Sequence, residues 1–152
     1  MLLEVGRSLR RNRADIDPEK IDRLLSLMNE NVRDSLVEFP AGLIESIEGL
    51  PDPDDRHVVA AALVSRSHAI VTSNVKDFPQ NALAPYRTEA ITPDDFLLAQ
   101  WDLDQGRFLL GVTKVRNRLK NPSMSADQYL ASLRRCGLVK TAAVLTSFTA
   151  LI

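Results

Sequence analysis

Apolar and polar positions along this chain follow two periods, a helical one through most of the length and short β-like runs in the first half. Leu2, Leu3 and Leu9, with arginines around them, read as a basic helix that fades near Arg13. Asp17-Pro18 opens a second helix, with Ile21, Leu24, Leu25 and Met28 at helical spacing through about Val32. Residues 35–39 alternate as a strand and are stopped by Pro40. Residues 41–49 place Leu43, Ile44 and Ile47 at helical spacing, over a run too short to decide. Asp52 is a good N-cap and Pro53 suits a first helical position, so a helix is predicted from there to about Ser67, with Asp55 in its first turn. The β-branched run of residues 68–72 follows as a strand, broken by Ser73-Asn74, and residues 89–92 form another that leads to Pro93.

Beyond Pro93 the pattern is helical alone. Phe96, Leu97 and Trp101 begin an apolar face that residues 103–119 continue, and Asn121-Pro122 ends it. Ser125 then caps residues 126–136, and Gly137 separates them from a last helix over residues 138–152. The fold class is α/β, with a soft division near Thr92: an α/β part over residues 1–92 and a helical extension over residues 93–152. Neither repeats nor low-complexity segments interrupt it.

The acids around the short strand carry the candidate chemistry. In a parallel α/β sheet the start of each helix and the end of each strand lie on one edge, so Asp55, Asn74 and Asp77 should converge there and invite a hard divalent cation. Each has a plainer reading. Asp54 and Asp55 suit the first turn of a helix, where negative charge meets the macrodipole for about 0.3–1 kcal/mol each, and Asn74 and Asp77 suit a turn. His57 is next to these acids but reads equally as a surface residue. With two histidines and one cysteine, Cys136, the chain offers no zinc ligand spacing and no internal disulfide.

The segment Asp55-Arg56-His57-Val58-Val59-Ala60-Ala61-Ala62 resembles the third acidic motif of the PIN domain, a metal-dependent nuclease fold. Val71-Thr72-Ser73-Asn74-Val75-Lys76-Asp77-Phe78-Pro79 resembles its fourth. More loosely, residues 1–12 resemble the helix of the second motif, with Glu4 in the position of its acid. The helical tail resembles the C-terminal extension of one branch of PIN toxins, the VapC-like ribonucleases of toxin-antitoxin systems.

The resemblance implies a three-layer PIN-like fold with a short parallel sheet. Glu4, Asp55 and Asp77 would be the catalytic acids, holding Mg2+ or Mn2+ with help from Asn74. Asp54, Thr72 and Ser73 would support them, and Arg7, Arg10 and Arg11 would lie along the RNA. It also implies an RNA substrate, an antitoxin partner and a tendency to dimerise. Because Met1 falls almost on top of Glu4, the first strand of such a fold and its aspartate have no counterpart here. The expectation is a shortened PIN protein with weakened activity and an exposed groove or sheet edge where that strand would lie. The alternatives are an inactive remnant that binds antitoxin or RNA without cleavage, and a helical scaffold whose acids are caps.

Composition narrows this little. The 19 basic and 20 acidic residues nearly cancel, so nucleic-acid contact must come from local clusters such as Arg7, Arg10, Arg11 and Arg13, or Lys114, Arg116, Arg118 and Lys120. Cysteine usage suits a reducing, cytoplasmic setting. No apolar run is long enough to span a bilayer.

Overall fold

The computed structural model describes residues 2–31, 37, 38, 40 and 42–152, with the backbone alone for residues 2–5. The strand expected over residues 35–39 lies outside them, apart from Val37 and Glu38, which are not in regular structure. Helices α1 (Leu2–Asn12) and α2 (Pro18–Asn31) form a hairpin. The Asp17 carboxylate accepts from the Glu19 backbone N–H at 2.9 Å and so starts α2. Gly6 lets the two helices approach, since a methyl group there would lie 2.8 Å from Leu25 Cδ1. Ile21 is buried in the hairpin, and Arg10 pairs with Asp22 across it.

Asp52 works as the sequence predicts, its carboxylate accepting from the Asp54 N–H at 2.9 Å. It caps a 3-10 turn, Pro53–Asp55, which runs into α3 (Arg56–Val64). Helix α3 stops three residues before the expected Ser67 because Arg66 adopts a left-handed φ of 55°. The Ser67 N–H then bonds the Ala62 carbonyl at 2.8 Å and the Arg66 N–H that of Leu63 at 3.1 Å, closing the helix end.

Strands β1 (Ala69–Val71) and β2 (Glu89–Ile91) pair in parallel, Ala69 opposite Glu89 and Val71 opposite Ile91. Parallel strands need a crossover. Here it consists of a 3-10 turn (Val75–Asp77), the short α4 (Gln80–Leu83) and another turn (Ala84–Tyr86). Among the described residues this sheet has two strands, which fall in the runs expected at residues 68–72 and 89–92. Ile47, Val59, Ala60, Ile70, Phe78 and Leu83 pack beneath it as the first core.

The rest is helical: α5 (Pro93–Leu103), α6 (Gln105–Arg118), α7 (Ala126–Arg135) and α8 (Val139–Leu145), then a turn at Thr146–Phe148. The apolar face expected to run on past Leu103 is broken at Asp104, whose extended backbone and carboxylate, accepting from the Arg107 N–H at 2.9 Å, start a new helix. Ser125 and Gln128 form a reciprocal cap on α7. Gly137, at φ 84°, ends α7 by letting the Leu138 N–H reach the Leu133 carbonyl at 3.0 Å. Leu130, Ala142, Leu145 and Ile152 form a second core, and Trp101 meets Phe108 edge-on at 5.9 Å.

One buried carboxylate joins the ends of this unit. Asp94, 7% exposed, accepts from the Lys140 N–H at 2.8 Å, the Thr141 N–H at 2.9 Å and the Thr141 hydroxyl at 2.7 Å. It caps α8 from the first turn of α5. Burial works against its charge, but the hydrogen bonds from Thr141 and Lys140 and the charge of Lys140 outweigh that and hold its pKa below the usual carboxylate range.

A carboxyl with a depressed folded pKa contributes stability above its unfolded pKa and loses it as pH falls through the folded value. Asp94→Asn removes the charge and turns an NH2 group toward at least one of these donors, and should cost about 2–3 kcal/mol at pH 7. Denaturant titrations should show the gap between wild type and variant closing as pH drops below about 4. A gap that is small at pH 7 or independent of pH would contradict this role.

Candidate functional site

A cleft of about 420 Å3 opens between α3 and β1. Asp55, Val58, Ala61 and Ser65 line it from the α3 side, and Val71 and Thr72 from the strand. The small side chains of Ala61 and Ala62 leave this space, which bulkier residues at these positions would fill. Asp55 stands at the N-terminal end of α3, half-buried, and does not cap that helix through its side chain. Asp54 is exposed, and its carbonyl oxygen lies 2.6 Å from His57 Nδ1.

Past the end of β1 the chain folds into a tight polar turn. The Thr72 hydroxyl accepts from the Asn74 N–H at 3.1 Å, and the Asn74 side-chain amide donates to the Asp77 carboxylate. Asn74 and Ser73 are exposed, while Asp77 is half-buried. Asp55 and Thr72 thus share one cleft, and Asp77 is linked to Thr72 through Asn74. Among the described residues no group of three His, Cys, Asp or Glu side chains is placed to hold a metal ion. Glu4 lies in α1, with its side chain outside the description.

The arginines of α1 divide. Arg10 is taken up by Asp22, whereas Arg7 and Arg11 border a shallow depression with Ser8 and Asn12. A larger, mostly apolar cleft of about 640 Å3 lies among α5, α6, α7 and α8, bordered by Leu97, Phe108, Val112 and Tyr129. Burial pushes the Tyr129 phenol pKa up. Sequence reading did not single out this cleft, the Asp94 cap, or the serines Ser65 and Ser67 that border the first cleft. The cleft and the Asp94 cap left little signal because they depend on contacts between distant elements, and Ser65 and Ser67 read only as ordinary polar residues at a helix end.

Asp52 and Asp54 offer a test of local roles. Asp52→Ala removes a cap and should cost about 1 kcal/mol. Asp54→Ala removes an exposed acid and should change stability by less than about 0.5 kcal/mol. Thermal unfolding of both variants checks this, and equal losses would mean that the turn is held otherwise.

With this geometry in place, comparison with known proteins adds a second line. Residues 93–147 match the family model of the VapC50 C-terminal domain. A protein of Mycobacterium tuberculosis named "Putative ribonuclease VapC50" is 59% identical over 49 residues. That stretch is 32% of this chain and 29% of the relative, so the match spans less than a third of either protein. No solved structure matches the chain. The helical unit is similar to the C-terminal domain of VapC50, which supports the resemblance of the tail to the C-terminal extension of VapC-like toxins, while the acidic motifs at residues 55–62 and 71–79 lie outside the matched range.

Proposed function

We propose that this chain is a metal-dependent endoribonuclease of the VapC toxin type, with a PIN-like α/β part over residues 1–92 and a helical extension over residues 93–152. The observation that carries this reading is the meeting of Asp55 and Thr72 in one cleft, with Asp77 held one turn away. Similarity of the other end of the chain to a VapC50 domain supports it independently.

The donors at this place are oxygens, and that suits a hard cation. Mg2+ takes one or two carboxylates and keeps several waters, so Asp55 and Asp77 meet its needs, with the Asn74 side-chain oxygen and Glu4 as further donors. When bound, Mg2+ or Mn2+ would supply charge neutralisation at a phosphate and a more acidic water. The chain's own groups do the positioning. Asn74 steadies one Asp77 oxygen and leaves the other for a ligand. Thr72 accepts from Asn74 and keeps its hydroxyl proton, which can be donated to a phosphate oxygen. Ser73 and Asp54 flank the site as supporting residues. Arg7, Arg10 and Arg11 would contact the RNA backbone, Arg10 from beside its pairing with Asp22. An antitoxin protein and a second copy of the chain are the partners in this reading, and the cytoplasm its setting.

A second reading is a binding module that engages RNA or antitoxin without cleaving. It draws on the lack of a three-ligand metal cluster among the described residues. One experiment separates the two: Mn2+ titration by calorimetry, with single-stranded RNA cleavage measured in parallel. The nuclease reading predicts Mn2+ binding and Mn2+-dependent cleavage, with Asp55→Asn and Asp77→Asn each losing about 100-fold or more in rate. RNA binding without cleavage, and with no measurable Mn2+ affinity, would replace it by the second reading.

A further inference from the structure

The basic residues near the end of α6 are not used alike. Arg116 is half-buried and its Nη1 donates to the Met124 carbonyl at 3.0 Å, so it holds the turn between α6 and α7. Arg107, at the other end of the helix, pairs with Asp104 at 3.2 Å. Lys114, Arg118 and Lys120 differ: all are exposed, and none has an acidic partner within ion-pair distance among the described residues. With Asn117 and Leu110 they border one shallow cleft.

Helical spacing explains the grouping, since Leu110, Lys114, Asn117 and Arg118 are three or four residues apart and share a face. The helix dipole accounts for Arg118 in the last turn. It does not account for Lys114, a turn further in, or for Lys120 beyond the helix end. Nor do acids dilute the charge, because no Asp or Glu occurs between Asp104 and Asp127. In a chain whose net charge is only −1, this is a local concentration of positive charge held in place by the helix.

We propose that Lys114, Arg118 and Lys120, with Asn117 among them, form a surface that binds the backbone of single-stranded RNA. Lys114 and Arg118 are separated by about 6 Å along the helix axis, comparable to the step between successive phosphates of an extended strand. Asn117 adds a neutral donor and acceptor between the cations. Leu110, 72% exposed, gives an apolar spot one turn away against which a base or ribose can rest. An acidic polypeptide would also be drawn to the charge, but Lys114 and Arg118 follow one another along α6 with Lys120 just past its end, a row rather than pockets for separate side chains. This inference rests on the RNA reading above and gives the helical unit a part in holding the strand, away from the acidic cleft.

The test is fluorescence-anisotropy binding of a labelled single-stranded RNA to the full chain, with EDTA present so that cleavage cannot intervene, over a series of salt concentrations. Changing Lys114, Arg118 and Lys120 together to Gln should weaken binding about 10-fold or more and make the log–log salt dependence shallower by about 2. A control triple variant, Lys20, Arg23 and Arg135 to Gln, removes equal charge from other faces and should leave both nearly unchanged. Equal losses in the two triples would show only a net-charge effect and overturn the proposal. So would wild-type chain that binds a labelled oligoglutamate more tightly than RNA, or that fails to bind RNA. Wild type that binds RNA through these residues but never cleaves it with Mn2+ would leave this inference standing while the nuclease reading falls.

Discussion

The carboxylate of Asp94 meets the first turn of α8 from the second residue of α5, and much of the helical unit depends on that contact. Helix α8 spans only Val139–Leu145, too short to persist on its own propensity. Leu138 before it offers no side-chain cap. Asp94 supplies the cap from a distant part of the chain, and Asp95 beside it pairs with Lys140. Because α5 follows β2 with only Thr92 between them, the helical unit starts directly at the end of the sheet. With α8 capped, Leu145 and Ala142 are held against Leu130 in the second core.

Local signals in the sequence account for much of this architecture. Asp52-Pro53, Thr92-Pro93 and Ser125 with Gln128 all mark helix starts, and each of the three caps is made as its residues allow. The two short strands over residues 69–71 and 89–91 lie inside the predicted runs. What the periodicity could not show were breaks set by single residues. Arg66 ends α3 in a left-handed conformation that favours glycine, so nothing in its side chain announces the stop. Asp104 divides one apolar face into two helices, since Leu103 and Phe108 continue the pattern across it. Asp94 was hidden for a different reason. It looks like any acid in a first helical turn, and its partners are Lys140 and Thr141, far along the chain.

The candidate site was legible in part. Asp55 and Thr72 do come to one cleft, as a strand end and a helix start should. The structure also makes real the plainer reading of Asn74 and Asp77, which bond to one another in a turn. Those two readings are compatible, because a carboxylate steadied on one oxygen keeps the other for a ligand. Of the expected RNA-binding arginines, Arg10 also pairs with Asp22 across the α1–α2 hairpin. Sequence could not separate Arg10 from Arg7 and Arg11, since the separation comes from which face of α1 meets α2.

The account turns on Asp55 and Asp77 serving one cation. The most direct measurement is a Mn2+ titration of the isotopically labelled protein followed by nuclear magnetic resonance, in which the paramagnetic ion broadens the amide signals nearest to it. The account predicts that signals of Asp55, Thr72, Asn74 and Asp77 broaden first and together, before those around Asp94 or Asp104. Broadening that begins elsewhere, or that reaches Asp55 without Asp77, would contradict it.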